Sequence, residues 1–397
     1  MVRKVPGFPL RELCVGFAVV GLPFGAIGVS WPTVGPALHR ADAALGVVLA
    51  VSAISYAGAG LAGGRLIRRF GAGILLQASA YVAAAGLAGM GLTRAWWGYL
   101  AGAAVVGFAG GALDTGLNVE ASAAADVGIS NLLHAFFAVG ATLPPLLLAA
   151  FDAAGISWRV MYFVLAGLDM AAGWWFRGLR APHPTVVGVP SPVVEPTYPG
   201  ARRGGLVVAL GVATFFFYVA MEGTSGQWSA TLLKARGFAG TARSLWAGSF
   251  FAGFFVGRLL AAWFGSRLGS KRLLEVSAAL LGTGLTLLWW APVPWLGAAA
   301  LSINGMAMAA VFPTLITITP ERVGSSRAPF VIGYEVAAAA VGGTIAPLVV
   351  SALRDRSSAE VVVPVMVVCA IAIVLLELTL RRVLAGDVTM ATVGVDA

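Results

Sequence analysis

Charge is what this sequence has least of. Of its 397 residues, 11% are Asp, Glu, Lys or Arg, against roughly 25% in a soluble domain. Too little polar surface remains to face water on all sides, which excludes a soluble globular protein. Cysteine is scarce too. Cys14 and Cys369 stand in apolar runs near opposite ends of the chain, which makes neither a disulfide framework nor a zinc-binding spacing. A phosphate-cradling glycine loop and a nucleophile elbow are both missing. The sequence therefore predicts no enzyme, no catalytic residues, no metal, no cofactor and no ATP-driven pump in one chain.

What is present is apolar length. Hydrophobic residues make up 59% of the chain and the mean hydropathy is +0.89. In lipid, only helices and closed barrels satisfy their own backbone. Barrel strands would alternate apolar and polar residues, whereas the runs here are long and unbroken. A helix needs about twenty apolar residues to cross the hydrocarbon core. Twelve such stretches occur, at roughly 12–36, 43–67, 73–93, 96–122, 131–154, 157–179, 205–233, 241–266, 272–291, 293–319, 327–353 and 360–382. The prediction is an all-α integral membrane protein with lipid as its solvent. Arg3 and Lys4 precede the first span without a small-residue cleavage site, so that span is expected to be retained, not removed as a signal peptide.

The net charge of +9 does not point to nucleic acid, because the cations sit in short clusters between apolar runs and form no continuous basic face. They orient the helices instead. Arg65, Arg68, Arg69, Arg177, Arg180, Arg202, Arg203, Arg267, Lys271 and Arg272 fall on the side of the termini. Fewer lie opposite: Arg40, Arg94, Arg159, Lys234, Arg236, Arg243, Arg354 and Arg356. The positive-inside rule then puts both termini in the cytoplasm of a plasma (inner) membrane. Lys234, Arg236 and Arg243 are a local exception, and Arg258 lies within a span.

The longest polar break runs from Arg180 to Gly204 and is rich in proline, the composition of an extended linker. It divides the chain into a bundle at 1–180, a cytoplasmic linker at 181–204, a second bundle at 205–382 and a cytoplasmic tail at 383–397. The halves look alike. Gly64-Arg65-Leu66-Ile67-Arg68-Arg69-Phe70-Gly71 follows the second span, and Phe264-Gly265-Ser266-Arg267-Leu268-Gly269 follows the eighth. Two parallel repeats around a midplane site are an architecture of secondary transporters.

With these features the chain resembles the major facilitator superfamily, which has six plus six helices and such loops after spans two and eight. Within it, the chain is similar to the fucose-permease-like sugar/proton symporter branch. The resemblance rests on Leu113-Asp114-Thr115-Gly116-Leu117-Asn118 in the fourth span and Asn131-Leu132-Leu133-His134-Ala135-Phe136-Phe137 at the start of the fifth. It rests also on Phe217-Tyr218-Val219-Ala220-Met221-Glu222-Gly223 with Gln227-Trp228 in the seventh, and on Val311-Phe312-Pro313-Thr314 in the tenth. Arg68 stands where the family's loop has an acidic residue, and Ala72 and Gly73 replace its basic ones. The resemblance implies two six-helix bundles related by a pseudo-two-fold axis, acting as a monomer on a small solute, sugar or sugar-like, together with protons.

Ionisable side chains deep in a span are by default functional candidates. Asp114 shares a helix face with Asn118, and the resemblance places it where the family has its protonatable carboxylate. Glu222 is the second proton-coupling candidate. Gly223-Thr224-Ser225-Gly226 follow it, and glycines weaken a helix, so an unwound segment is expected there. Asn118, Tyr218, Glu222, Gln227, Trp228, Asn304 and Glu335 are the candidate solute contacts, Trp228 by stacking. Asn131 and His134, at i and i+3, are candidate contacts to the Asp114 helix, and His134 is also a possible proton relay. Gly64, Arg68, Arg69, Gly71, Arg267, Gly269 and Lys271 would form the gating loops. Glu377 and Arg381 are spaced as an i, i+4 ion pair. Two other readings remain open: an exporter of drugs or metabolites, and a membrane receptor or assembly factor that moves no solute.

Overall fold

The computed structural model describes residues 8–122, 127–179, 201–291, 293–324 and 327–393. Most of the proposed linker, the end of the tail, and the side chains of Gly64, Arg68 and Asn131 lie outside what is described. The first half contains α1 (Leu10–Ala37), α2 (Ala44–Phe70), α3 (Ala72–Leu92), α4 (Trp96–Ser122), α5 (Val127–Ala153) and α6 (Trp158–Phe176). The second contains α7 (Ala201–Ala235), α8 (Gly240–Trp290), α9 (Pro294–Ala309), α10 (Val311–Val323), α11 (Ala328–Arg356) and α12 (Val362–Val393). Among the described residues, ten segments are long and apolar enough to cross a membrane. The remaining crossings are α2, whose apolar stretch is shorter (Ala44–Gly60), and α6.

The eighth and ninth spans are the two arms of α8, which meet at Gly269, where the backbone leaves helical φ/ψ. One boundary differs from the sequence reading. The tenth span is two helices, α9 and α10, parted at Ala310. Pro313 explains this break, since it has no N–H to donate back to Ala309. The expected unwinding after Glu222 does not occur: α7 runs through Gly223-Thr224-Ser225-Gly226 without interruption. There the Thr224 and Ser225 hydroxyls donate to the carbonyls of Ala220 (2.7 Å) and Met221 (2.8 Å), four residues back.

The repeat seen in sequence is a repeat of backbone shape. Gly71 has φ 81°, ψ 154°, and Gly269 has φ 74°, ψ 158°. Gly324, which ends α10, has φ 87°, ψ 147°. This region is essentially open to glycine alone. All three elbows lie on the side of the termini, called proximal below; the opposite side is called distal. Within each half, glycines bring helix backbones together. A Cβ at Gly21 or Gly25 of α1 would overlap the Phe137 or Ala141 carbonyl of α5. In the second half, Gly342 of α11 meets the Phe216 carbonyl of α7, and Gly253 of α8 meets the Ser302 carbonyl of α9. Such contacts drive helix association where lipid supplies no hydrophobic force.

The halves meet through α1 against α7, α2 against α11, and α5 against α8. Among the described residues, every hydrogen bond and ion pair between them lies toward the distal end. Asp42, in the turn before α2, receives Arg354 at 2.6 Å and Lys234 at 3.2 Å from the other half. Asp152 faces Arg243 at 3.9 Å and accepts a hydrogen bond from Ser244 at 3.2 Å. Arg243 also donates to Thr33, and Ser351 donates to the Ala43 carbonyl at 2.6 Å. Gln227 inserts its amide between α1 and α7, donating to the Phe24 carbonyl at 2.7 Å and accepting from the Gly28 N–H at 3.1 Å. The distal end is therefore closed by a polar clasp. The cations that broke the positive-inside pattern are accounted for here. Lys234 and Arg243 are clasp members, and Arg236 pairs bidentately with Glu360 at 2.9 and 2.7 Å.

Two predictions follow from this architecture. Gly71→Ala and Gly269→Ala each lose about 1–3 kcal/mol of stability through backbone strain. Gly89→Ala, helical and with nothing near its Cβ position, gains up to about 1 kcal/mol. Thermal melts of the detergent-purified variants distinguish these signs. Asp42→Asn leaves Lys234 and Arg354 without a counter-charge and shifts the clasp toward opening by about 1–3 kcal/mol. In a Ser351→Cys background, an impermeant maleimide should then label at least about fivefold faster. The native Cys14 and Cys369 are buried and add little signal, and an unchanged labelling rate would show that Asp42 does not hold the clasp.

Candidate functional site

Proximal to the clasp, polar side chains from both halves come to a similar depth. At 1.5 Å rise per residue, Tyr218, Arg258, Asp114 and His134 lie about 26–29 Å from the distal ends of α7, α8, α4 and α5. Glu222 lies one turn nearer the clasp. The first-half group depends on glycine. A Cβ at Gly107 or Gly111 of α4 would overlap the carbonyls of Ser52 or Tyr56 on α2. That approach sets the Tyr56 hydroxyl toward the Asp114 carboxyl. The Asn118 amide donates to the Asp114 carbonyl oxygen at 2.9 Å, and the Thr115 hydroxyl donates to the Gly111 carbonyl at 2.7 Å. Asn118 is exposed, and Asp114, Thr115 and Tyr56 are partly so. Asp114 is thus not sealed inside the first half, and α4 and α10 make no close packing contact among the described residues.

In the second half, Tyr218 and Glu222 share one face of α7, four residues apart. The Tyr218 hydroxyl donates to the Met308 carbonyl at 3.0 Å, just before the α9–α10 break. Phe312 stacks on Tyr218 at 5.9 Å and on Phe215 at 5.1 Å, so the break is held by aromatic packing. Glu222 and Tyr218 feel the charge of Arg258 on α8. So does His134 on α5 of the other half, whose ring packs edge-on to Phe17 at 5.1 Å. Arg258 is 6% exposed. Its guanidinium lies 4.6 Å from the Phe254 ring, and its Nε and Nη1 have no hydrogen-bond partner among the described residues.

His134 of the first half and Tyr218 and Glu222 of the second thus surround Arg258, whereas Asp114 and Asn118 stay with Tyr56 on the first half at a similar depth. The other expected solute contacts lie elsewhere. Gln227 is spent on the clasp. Trp228 is 0% exposed within the core, so it offers no face for stacking. Asn304 turns into the α8–α9 contact, where its side chain lies against Gly284. Glu335 is buried near the proximal end, accepting from the Thr319 hydroxyl at 3.0 Å. It neighbours Arg322, which binds Glu377 bidentately at 3.0 and 2.6 Å. The expected pair of Glu377 with Arg381 is not made, since Arg381 reaches Glu275 at 3.0 Å. Of the gating-loop cations, Arg267 and Lys271 are at the surface or partly so, and Arg69 lies over the Phe70 ring at 5.3 Å. Asp169 of α6 is fully buried, and neither of its oxygens has a partner among the described residues. Tyr56 and Arg258 are the two members that sequence reasoning missed. A cation inside a span was the available signal for Arg258, whereas Tyr56 looks like any interfacial tyrosine until α4 is placed beside it.

Residues 210–388 match the family model for the major facilitator superfamily. An uncharacterised MFS-type transporter of Pseudomonas aeruginosa is 31% identical over 157 residues, which cover 38% of this chain and 34% of that protein. The match thus spans about a third of that curated relative. Solved structures align over nearly the whole chain. A bacterial homolog of the human lysosomal transporter Spinster, inward-facing and unoccupied, aligns with TM-score 0.70 and 14% identity, covering 95% of this chain and 97% of that one. The nucleoside transporter NupG aligns with TM-score 0.67 and 14% identity, covering 94% and 99%. The transporter FucP in its outward conformation aligns with TM-score 0.62 and 16% identity, covering 96% and 99%. This multi-pass membrane chain thus shares the fold of these transporters along nearly its whole length, and in sequence most of its second half is similar to the major facilitator superfamily.

Proposed function

We propose that this protein is a secondary transporter that moves a small polar solute, sugar or sugar-like, together with protons by alternating access. One observation carries the reading: two groups of ionisable side chains, Asp114 with Tyr56 and Glu222 with Arg258, stand on opposing halves joined by a distal clasp. Rocking of the first bundle (1–180) against the second (205–382) would open the clasp and close the proximal side. Both termini then face the cytoplasm of the plasma membrane, and the clasp faces out. In this scheme Asp114, which is partly exposed, serves as the proton-exchanging carboxyl. Membership of the fucose-permease-like branch is part of the same proposal, resting on the Asp114-to-Asn118 and Tyr218-to-Glu222 segments. The protein acts as a monomer in this scheme, each copy holding a complete site.

A second reading has one observation in its favour. Phe24 stacks on Phe137 at 5.5 Å and on Phe251 of the other half at 5.9 Å. This aromatic seam suits an amphipathic solute and an exporter.

Proteoliposomes test the coupling. With an acid exterior and a matched panel of labelled monosaccharides and amphipathic dyes, Asp114→Asn should lower gradient-driven flux by about tenfold or more, a barrier change of about 1.4 kcal/mol, while solute exchange without a gradient survives. Intact gradient-driven flux in Asp114→Asn would remove Asp114 as the coupling group. Dye efflux without sugar flux would favour the exporter. A cysteine at Gly188 should be labelled only from the cytoplasmic side, and labelling from outside would invert the orientation.

A further inference from the structure

Arg258 is a cation with no place in a simple account of neutral sugar transport. It is nine-tenths buried, it donates no hydrogen bond among the described residues, and its Nε and Nη1 are closed off from water. Its charge acts on Glu222 and Tyr218 of α7 and on His134 of α5, and so reaches across the two halves. Among the described residues, the other elements against α8 bring it no counter-charge. Helix α9 has no titratable residue. The charged groups of α10 sit proximally, where Arg322 is held by Glu377 of α12. On α1, Glu12 is engaged by Arg11 at 2.8 Å near the proximal end. Cys369 of α12 is a buried thiol, and Arg243, on α8 itself, is taken up by Asp152 in the distal clasp. Asp114 stands on α4, which packs chiefly against α2, α3 and α1 of its own half. One group is therefore left to balance Arg258, and that group is Glu222.

We propose, building on the transporter reading, that Arg258 binds the carboxylate of an acidic solute and that Glu222 takes up one proton as that carboxylate arrives. The reason is charge balance in a site withdrawn from water. A buried cation tolerates one neighbouring anion, and removing that anion is costly. In the empty site the anion is Glu222. A solute carboxylate entering beside it would put two anions next to one cation, and like charges cannot both remain ionised at close quarters. A proton from solvent moves onto Glu222, the carboxylate replaces it at Arg258, and the site's net charge is unchanged. No covalent bond is made or broken. A guanidinium, with five N–H donors and no acceptor, suits a carboxylate, while a cationic solute would meet it with repulsion. Asp114, Asn118 and Tyr56 on the facing half would take the solute's hydroxyl groups, so a sugar acid or hydroxy acid fits both sides.

Titration calorimetry on the purified full chain tests this. Acetate, lactate, gluconate and galacturonate are titrated at neutral pH in phosphate and in Tris, buffers whose ionisation heats differ, with galactose as the neutral counterpart. The expected result is that gluconate or galacturonate binds at least about tenfold tighter than galactose, with uptake of one proton revealed by the difference between buffers. Glu222→Gln should bind the acid without proton uptake. Arg258→Gln should lose the preference for acid over galactose, and Arg258→Lys should restore part of it. Acid binding without proton exchange in the wild-type protein overturns the inference even if the variants do not fold, as does binding that survives Arg258→Gln. Silence with all four acids overturns it as well. Flux of labelled galactose in liposomes of the same preparation would then leave the transporter reading standing.

Discussion

An ion withdrawn from water must be met by an opposite ion, and this structure is organised around that demand. A chain with so few charges puts many of those at its helix ends into ion pairs, while Asp169 and Arg258 stand buried without a hydrogen-bond partner among the described residues. Asp42 and Asp152 gather cations from the other half and thereby hold the distal end shut. Arg322 and Glu377 tie α10 to α12, and Arg381 and Glu275 tie α12 to the second arm of α8. Arg258 is buried with its Nε and Nη1 unpartnered among the described residues, and the proposed binding of an acidic solute starts from that orphaned charge. Structural and functional charges obey the same rule, and they differ in whether the partner can be exchanged.

Helix packing in this chain depends on absent side chains. Gly107 and Gly111 let the α2 backbone touch α4 and so place Tyr56 beside Asp114. Gly253 does the same for α8 and α9. Glycine is costly inside a soluble helix, but between lipid-embedded helices it permits the close contact that substitutes for the hydrophobic effect. The many glycines are therefore part of what makes each half behave as one body, and between the halves a few more of them, such as Gly28 and Gly46, share the contact with the polar clasp.

Much of this was legible in the sequence because it follows from period and composition. Span length, the proline-rich break and the matching loops ending at Gly71 and Gly269 predicted two similar bundles, and both glycines share one backbone geometry. What failed was inference about which neighbour a polar side chain would choose. Glu377 and Arg381 have the right spacing to pair along a helix, yet each finds a better partner on another helix. Gln227 and Trp228 read as solute contacts beside Glu222, but a half-turn of helix sends one to α1 and the other into the core. Gly223 and Gly226 suggested unwinding, and the intervening hydroxyls instead bonded back to the helix. The break came at Ala310, ahead of Pro313, in a segment whose composition looked continuous. Arg258 was visible as a charge in a span, but only packing showed that it lacks a hydrogen-bond partner.

The clasp has a consequence for traffic. In the proposed rocking, Lys234, Arg243 and Arg354 would lose their acidic partners together, and the mouth so formed would hold more positive than negative charge. A low-dielectric vestibule of that sign concentrates anions at its entrance, and the effect reaches only about 8 Å at physiological ionic strength. Dissolved salt would therefore act twice on the same residues, weakening the lock while it is shut and dimming the lure once it is open.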